Sequence, residues 1–144
     1  MPIQKTLAEI GQVAAVNSTA LALTFTELKY FSLDEFDSPD EPGSGAKMCC
    51  KLLKKMDKIR ADFGSPLHIN SGFRTKLHNA VVGGRVGSSH LKGVAVDLHC
   101  NNSGDRTKLL KAIYKNGINR VGIGKTFLHI DTDKNKPAAC WLYN

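Results

Sequence analysis

The chain has 144 residues, of which 42% are hydrophobic and 23% charged, so we expect one globular, monomeric domain with a hydrophobic core. No apolar run approaches the roughly 18 residues of a membrane span, and the N-terminus lacks the pattern of an export signal, which predicts synthesis in the cytoplasm. The net charge of +7 favours anionic partners, but the dispersed basic residues and the absence of a nucleic-acid-reading motif argue against specific nucleic-acid binding.

The N-terminal part has a weak helical pattern followed by a clear helix start. We interpret residues 1–28 as an N-terminal extension packed on a domain formed by residues 29–144. Within that domain, Ser32-Leu33-Asp34-Glu35 matches a capping box and predicts a short helical turn. The apolar residues that suggest an amphipathic helix in the extension are Leu7, Ile10, Val13 and Ala14.

A long amphipathic helix is predicted over residues 45–63. Its apolar side chains recur every three or four positions, with lysines on the opposite face. Residues 64–66 end the helix, and residues 67–69 predict a short strand. The glycine-rich segment 75–89 lacks a clean period and predicts an ordered loop with helical turns. The apolar face consists of Met48, Leu52, Met56, Ile59 and Phe63.

Strands and one helix alternate in the C-terminal half. Residues 94–99 alternate between apolar and polar side chains and predict a strand. A helix over residues 104–116 and a strand over residues 118–123 follow, and a tight hairpin leads into a strand over residues 127–132. The sequence therefore predicts an α+β fold in which a small antiparallel sheet is flanked by the two long helices.

A metal site is predicted where polar side chains of two strands meet. Asp97 follows His90 by seven residues, and His129 and Asp131 share one face of the last strand. Two imidazoles and one carboxylate would leave a fourth zinc position for water, with Asp131 as the candidate general base. Two alternatives stay open: Asp131 replaces His129 as a ligand, or His99 is a ligand or a partner of one.

The four cysteines lack the spacing of a zinc site, so free thiols are expected.

Several linked motifs run through the chain. Residues 88–97 read Ser-x-His-x-x-Gly-x-Ala-x-Asp, and Ser71-Gly72-Phe73-Arg74 precedes them. Asn79-Ala80-Val81-Val82-Gly83-Gly84 lies between these two, and Phe127-Leu128-His129-Ile130-Asp131 follows them. In this order the motifs resemble the M15 family of zinc D-Ala-D-Ala carboxypeptidases and related cell-wall peptidases, in particular its M15A branch. The resemblance covers residues 29–143 and implies a fold like that of the DD-peptidases and the Hedgehog domain.

The resemblance also implies roles for individual side chains around one zinc ion per chain. Arg74 matches an arginine that binds the substrate and stabilises the developing oxyanion, which makes it a catalytic and substrate-binding residue. Ser88 is expected beside the ligand loop, where it binds substrate or a ligand. Thr126 stands where some branches have an acid, which leaves Asp131 as the predicted base. The implied zinc ligands are His90, Asp97 and His129.

The predicted function is a zinc metallopeptidase that cuts an amide bond in peptidoglycan stem peptides. A D-Ala-D-Ala carboxypeptidase and an L-Ala-D-Glu endopeptidase are both compatible with these residues. The positive charge suits an anionic wall, and the small size without an export signal suits a phage endolysin released through a permeabilised membrane. The alternative is a non-catalytic binding module of the same fold that zinc stabilises, which Thr126 favours.

Overall fold

The computed structural model describes residues 28–144. The helix predicted near Leu7 lies outside these residues, as does nearly all of the predicted N-terminal extension. Over the described range, none of the helices has the length and apolar character needed to cross a membrane. Cys49, Cys50, Cys100 and Cys140 all carry unpaired thiols in the structure.

Three α-helices occur in the described part of the chain: α1 (Cys50–Phe63), α2 (Lys76–Val81) and α3 (Ser103–Lys115). The helix predicted over residues 45–63 is two elements, because residues 44–47 form a separate 3₁₀ helix and Met48 has extended backbone angles (φ −70°, ψ 146°). The segment predicted as a loop with helical turns contains α2. The predicted capping box is present, since Ser32 accepts Glu35 N–H and the Glu35 carboxylate accepts Ser32 N–H.

Five strands form one sheet, in the spatial order β1-β2-β4-β3-β5. The first four strands pair antiparallel, as predicted, whereas β5 pairs parallel with β3. β5 is not predicted from the sequence, because its four residues include no alternating apolar pattern. The strands are β1 (Ile69–Ser71), β2 (Ala95–His99), β3 (Arg120–Ile123), β4 (Phe127–Asp131) and β5 (Ala139–Leu142).

One face of the sheet forms the hydrophobic core with α1 and α3, which also contact each other. The α1 face predicted from its spacing is buried there, together with alternate residues of β2, β3 and β4. Burying such side chains contributes about 1.5–3 kcal/mol each relative to leaving them exposed. The α+β prediction is confirmed. The fully buried strand residues include Val96, Leu98, Val121, Leu128 and Ile130.

The opposite face of the sheet presents a row of residues that crosses all five strands. Pairing aligns Ser71 with Asp97, Asp97 with His129, and His129 with Gly122. The parallel pairing of β5 then aligns Gly122 with Trp141. Residues paired across neighbouring strands point to the same face, and a register shift between Ile69 and Ser71 brings Ser71 to the face of Asp97, so every member of this row lies on the face away from the core. The candidate site lies along this row.

Candidate metal centre

His90 lies on a short 3₁₀ helix, Ser89–Lys92, just before β2. The Ser88 hydroxyl caps this helix by accepting the His90 N–H at 3.2 Å. The Ser89 hydroxyl donates to the buried Asp133 carboxylate at 2.7 Å and ties the helix to the segment after β4. The backbone and a neighbouring hydroxyl thus hold His90 in place, and the side chain is 3% exposed.

The tautomer of His90 follows from its hydrogen bond to the backbone. Nδ1 lies 2.7 Å from the carbonyl oxygen of Gly72, and a carbonyl oxygen only accepts hydrogen bonds. Nδ1 therefore carries the proton, and the lone pair of Nε2 is free. Nε2 faces Oδ1 of Asp97 at 3.3 Å. A ligating histidine commonly has this arrangement, with one nitrogen held by a carbonyl and the other directed at the metal.

His129 is oriented by carboxylates on both sides of its ring. Its Nδ1 lies 2.9 Å from Oδ1 of Asp97, the residue opposite it on β2. Its Nε2 lies 2.8 Å from Oδ2 of Asp131, two residues along β4 on the same face. Nδ1 is therefore the nitrogen on the side of His90 and Asp97, and Nε2 is the nitrogen held by the buried Asp131.

The structure brings three of the predicted residues together into a group able to hold a metal ion. His90, Asp97 and His129 each offer one ligand atom, and these atoms lie within 4.8 Å of one another. Two imidazole nitrogens and one carboxylate oxygen are a donor set that suits Zn²⁺. The hydrogen bonds to Gly72 and Asp131 occupy one nitrogen of each ring. The other two nitrogens, Nε2 of His90 and Nδ1 of His129, face Asp97 and stay free for a metal ion, so these residues fit Zn²⁺. His99, considered as an alternative, is exposed on β2 and lies outside the group.

The electrostatics of the group favour an ionised carboxylate. Burial disfavours the charge on Asp97, but the adjacent imidazoles of His129 and His90 outweigh it and hold the pKa of Asp97 well below its usual value. Burial also disfavours the charged form of His129 and by itself would lower the pKa of that ring. The adjacent carboxylates of Asp131 and Asp97 outweigh burial and raise the pKa of His129 overall. The negative charge of Asp97 is therefore available at neutral pH as one anionic ligand.

Asp131, predicted as the general base, has both carboxylate oxygens occupied. Oδ1 accepts Nε–H of Arg120 at 2.7 Å and the backbone N–H of Asp133 at 3.1 Å. Oδ2 is bonded to Nε2 of His129, on the side of the ring turned away from Asp97. The side chain is 1% exposed. Burial opposes ionisation, but His129 and Arg120 outweigh it and lower the pKa of Asp131.

Arg74, predicted to contact substrate, lies beside Asp97 at the other end of the group. Its Nε donates to Ser71 at 3.1 Å, its Nη1 to Asn79 at 3.1 Å and its Nη2 to Asp97 at 3.4 Å. Gly84 permits this arrangement, because a Cβ there would come within 2.0 Å of the Asn79 side-chain oxygen. These three hydrogen bonds give the guanidinium a defined orientation. They use three of its five N–H groups, so others remain able to donate to a ligand.

Two cavities border these residues. The smaller one, of about 260 Å³, is lined by Arg74, Asp97 and Ser71 and so opens beside the metal-binding group. The larger one, of about 800 Å³, borders Asp131 and Arg120 but none of the three potential ligands. Size alone would select the larger cavity, whereas the positions of the reactive side chains associate the chemistry with the smaller one.

Sequence reasoning missed two supporting residues. Arg120 neutralises the buried Asp131, and Asp133 accepts hydrogen bonds from Ser89 and Lys92 and forms an ion pair with Lys136. Neither residue belongs to the motifs that resemble the M15 family. Arg120 lies two residues before Gly122 on β3, so the two residues share one face of the strand. This spacing was the one available sign that Arg120 lies on the face of the site.

The comparison with family models agrees with this geometry. The model of the peptidase M15 family matches residues 23–132, about three quarters of the chain. The chain belongs to the M15 peptidase family. Membership supports a peptidase, and M15 peptidases are generally zinc-dependent, in keeping with the group formed by His90, Asp97 and His129. No curated protein matches the chain.

Proposed function

We propose that this M15 family member is a zinc peptidase that hydrolyses an amide bond in peptidoglycan stem peptides. One observation carries the proposal: two imidazole nitrogens and a carboxylate oxygen converge within 4.8 Å of one another, next to an oriented arginine. The M15 match and the motif order that resembles the M15A branch support a cell-wall substrate. The net charge of +7 supports an anionic polymer as the surroundings of that substrate.

The side chains divide the work between binding and chemistry. A bound Zn²⁺ would polarise the scissile carbonyl and supply a water of lowered pKa as the nucleophile. Arg74 binds the carbonyl or a nearby carboxylate of the substrate and stabilises the negative charge that develops on the carbonyl oxygen. The cavity of about 260 Å³ beside Arg74 and Asp97 accommodates the adjoining substrate residue. Ser88 supports the loop that carries His90.

For Asp131 we propose an orienting role in place of the predicted role as general base. A base must reach the proton that it removes, within about 2.6–3.2 Å or through one water. Asp131 is bonded to the far nitrogen of His129 and paired with Arg120, so it acts on the site through His129. A carboxylate in this position fixes the ring and raises its basicity as a ligand.

Digestion of purified peptidoglycan tests the function. The protein is expected to release fragments that mass spectrometry detects, to lose this activity on chelation and to regain it when zinc is added. The mass of the fragment distinguishes loss of a terminal D-alanine from cleavage between L-Ala and D-Glu. His90→Ala is expected to be inactive, and His99→Ala, an exposed change on the same sheet outside the group, serves as the matched control. Digestion that chelators leave unchanged would refute zinc-dependent hydrolysis.

The second candidate function is a zinc-stabilised binding module. Two observations favour it: Thr126 occupies the position of an acid in some branches, and both oxygens of Asp131 already have partners. Such a module would retain one zinc ion and bind soluble peptidoglycan fragments without cutting them. Binding without turnover in the same digestion would select this function, and turnover would eliminate it.

We place the peptidase in the setting of a phage endolysin. A small, basic, monomeric wall-degrading domain suits release from the cytoplasm by a partner that permeabilises the membrane. Lysis of host cells that co-express the protein with a membrane-permeabilising protein tests this setting. His90→Ala should abolish such lysis, whereas His99→Ala should not.

A further inference from the structure

The row across the sheet contains a gap beside His129. Gly122 lies opposite His129 on β3, and a Cβ at this position would come within 2.7 Å of the Trp141 ring and 2.5 Å of the Tyr143 ring. The missing side chain therefore makes room for two aromatic rings, one from Trp141 on β5 and one from Tyr143 just after it. The Trp141 ring centroid lies 5.5 Å from that of His129, and the Tyr143 ring packs against Trp141, so the two rings form one wall beside the candidate metal centre.

Tyr143 is held firmly in this wall. Its backbone N–H donates to the Ile123 carbonyl at 2.9 Å and extends the pairing of β5 with β3. Its ring packs against Phe127 at 5.0 Å between centroids and against Trp141 at 6.2 Å. The residue is nevertheless 42% exposed, which leaves part of the side chain accessible to a ligand.

The strand order places Tyr143 and Arg74 on opposite sides of the metal-binding group. Arg74 bonds to Ser71 of β1, the strand at one edge of the sheet, whereas Tyr143 follows β5 at the other edge. Asp97 and His129 lie between them on β2 and β4. A substrate carbonyl over the group would therefore have the guanidinium on one side and the aromatic wall on the other.

The charges around the Tyr143 hydroxyl keep it protonated. Burial, more than these charges, raises the pKa of Tyr143; the carboxylates of Asp97 and Asp131 act in the same direction, while Trp141 and Arg74 oppose them. A protonated phenol beside the centre is a hydrogen-bond donor.

We propose that Tyr143 contacts the substrate and that its hydroxyl donates a hydrogen bond to the oxygen of the scissile carbonyl, from the side opposite Arg74. This inference rests on the proposed peptidase function. It goes beyond the family match, because both Tyr143 and Trp141 lie after residue 132, where that match ends. A donor placed where negative charge develops is worth more in the transition state than in the ground state.

Tyr143→Phe tests the proposal, because it removes only the hydroxyl. We expect kcat for peptidoglycan fragments to fall by about 10- to 100-fold, at or below the lower end of the roughly 100- to 1,000-fold effect of losing one oxyanion donor, since Arg74 remains. KM and bound zinc should stay within about twofold of the wild-type values, because the hydroxyl acts mainly in the transition state. Tyr30→Phe is the matched control, since Tyr30 packs on Arg60 and bonds through its backbone to α1.

Binding of a phosphinate analogue of the cleaved dipeptide provides a readout besides activity. Calorimetry should show that Tyr143→Phe weakens phosphinate binding by about the same factor as it lowers kcat, because the tetrahedral phosphinate oxygens mimic the transition state. Wild-type kcat and phosphinate affinity in Tyr143→Phe would overturn the proposal, even if Tyr143→Ala, which removes the ring, were impaired. Wild-type protein that binds the phosphinate without hydrolysing peptidoglycan would refute the peptidase function alone, and protein that does neither would refute both.

Discussion

The two histidines of the candidate metal centre are held by different kinds of partner. His90 donates to a backbone carbonyl, that of Gly72, whereas His129 is bonded to the buried carboxylate of Asp131. The Gly72 carbonyl is uncharged. Because it belongs to the backbone, a side-chain substitution does not remove it. The carboxylate brings a buried charge, which is tolerable because Arg120 pairs with it at 2.7 Å. The His129 side of the centre is therefore the one whose metal affinity depends on the charges around it.

The largest effect should come from removing either histidine itself. In His90→Ala or His129→Ala only two protein ligands remain, so zinc affinity should fall by more than the roughly 10- to 100-fold cost of a lost supporting bond. Bound zinc after dialysis measures this directly. Fluorescence of Trp141, the single tryptophan of the chain and 5.5 Å from His129, offers a second readout during metal titration. A full equivalent of zinc in His90→Ala would refute the ligand assignment.

A smaller effect is expected when the carboxylate that supports His129 loses its charge. Asp131→Asn should weaken zinc binding by about 10- to 100-fold, because Nε2 loses its anionic partner. Peptidase activity should recover at saturating zinc if Asp131 only orients the ring. Activity that stays absent in fully zinc-loaded Asp131→Asn would instead support Asp131 as the general base. Thermal unfolding of the variant checks that the unpaired Arg120 has not destabilised the fold.

The smallest effect on the metal should come from Asp133, which anchors the His90 loop. Burial opposes its ionisation, but bonds from Ser89 and Lys92 outweigh this and lower the pKa of Asp133 to about 2 from its usual value of 3.8. Because the pKa is lowered in the folded state, the ionised carboxylate stabilises the fold above pH 3.8, and this stabilisation is lost as the pH falls towards 2.

Asp133→Asn should therefore lower the free energy of unfolding by about 1–3 kcal/mol at pH 7, the cost of hydrogen bonds lost at a buried site. The difference from wild type should shrink as the pH is lowered towards 3, while zinc affinity at pH 7 changes less than in Asp131→Asn. Urea unfolding at both pH values measures the stability difference. A difference that is the same at pH 7 and pH 3 would contradict the stabilising role of the ionised carboxylate.

The alternation of apolar and polar residues predicted much of the site, because it is a local property of each strand. It placed Asp97 on β2 and both His129 and Asp131 on one face of β4, as the structure has them. It did not reveal that Asp97 lies directly opposite His129. That register depends on how two strands pair, and the intervening helix α3 leaves it undetermined in the sequence.

The elements that the sequence missed depend on distant contacts. β5 forms only because Ala139–Leu142 finds an open edge of β3, and its residues include no pattern that predicts a strand. The interruption of the predicted helix before α1 likewise involves a distant bond, from Cys49 N–H to the Gly93 carbonyl at 2.8 Å. Local periodicity contains no information about such partners.

By itself, the sequence determined the α+β class, the M15 motifs and the residue types able to hold a metal, since spacing and side-chain chemistry are properties of the chain alone. Only the tertiary structure decided which nitrogen of each histidine faces Asp97, that Asp131 binds the far side of His129, and that Trp141 and Tyr143 occupy the space beside Gly122. These features arise from strand register and from burial, which bring together residues far apart in the chain and select one hydrogen-bonded arrangement among several that the sequence permits.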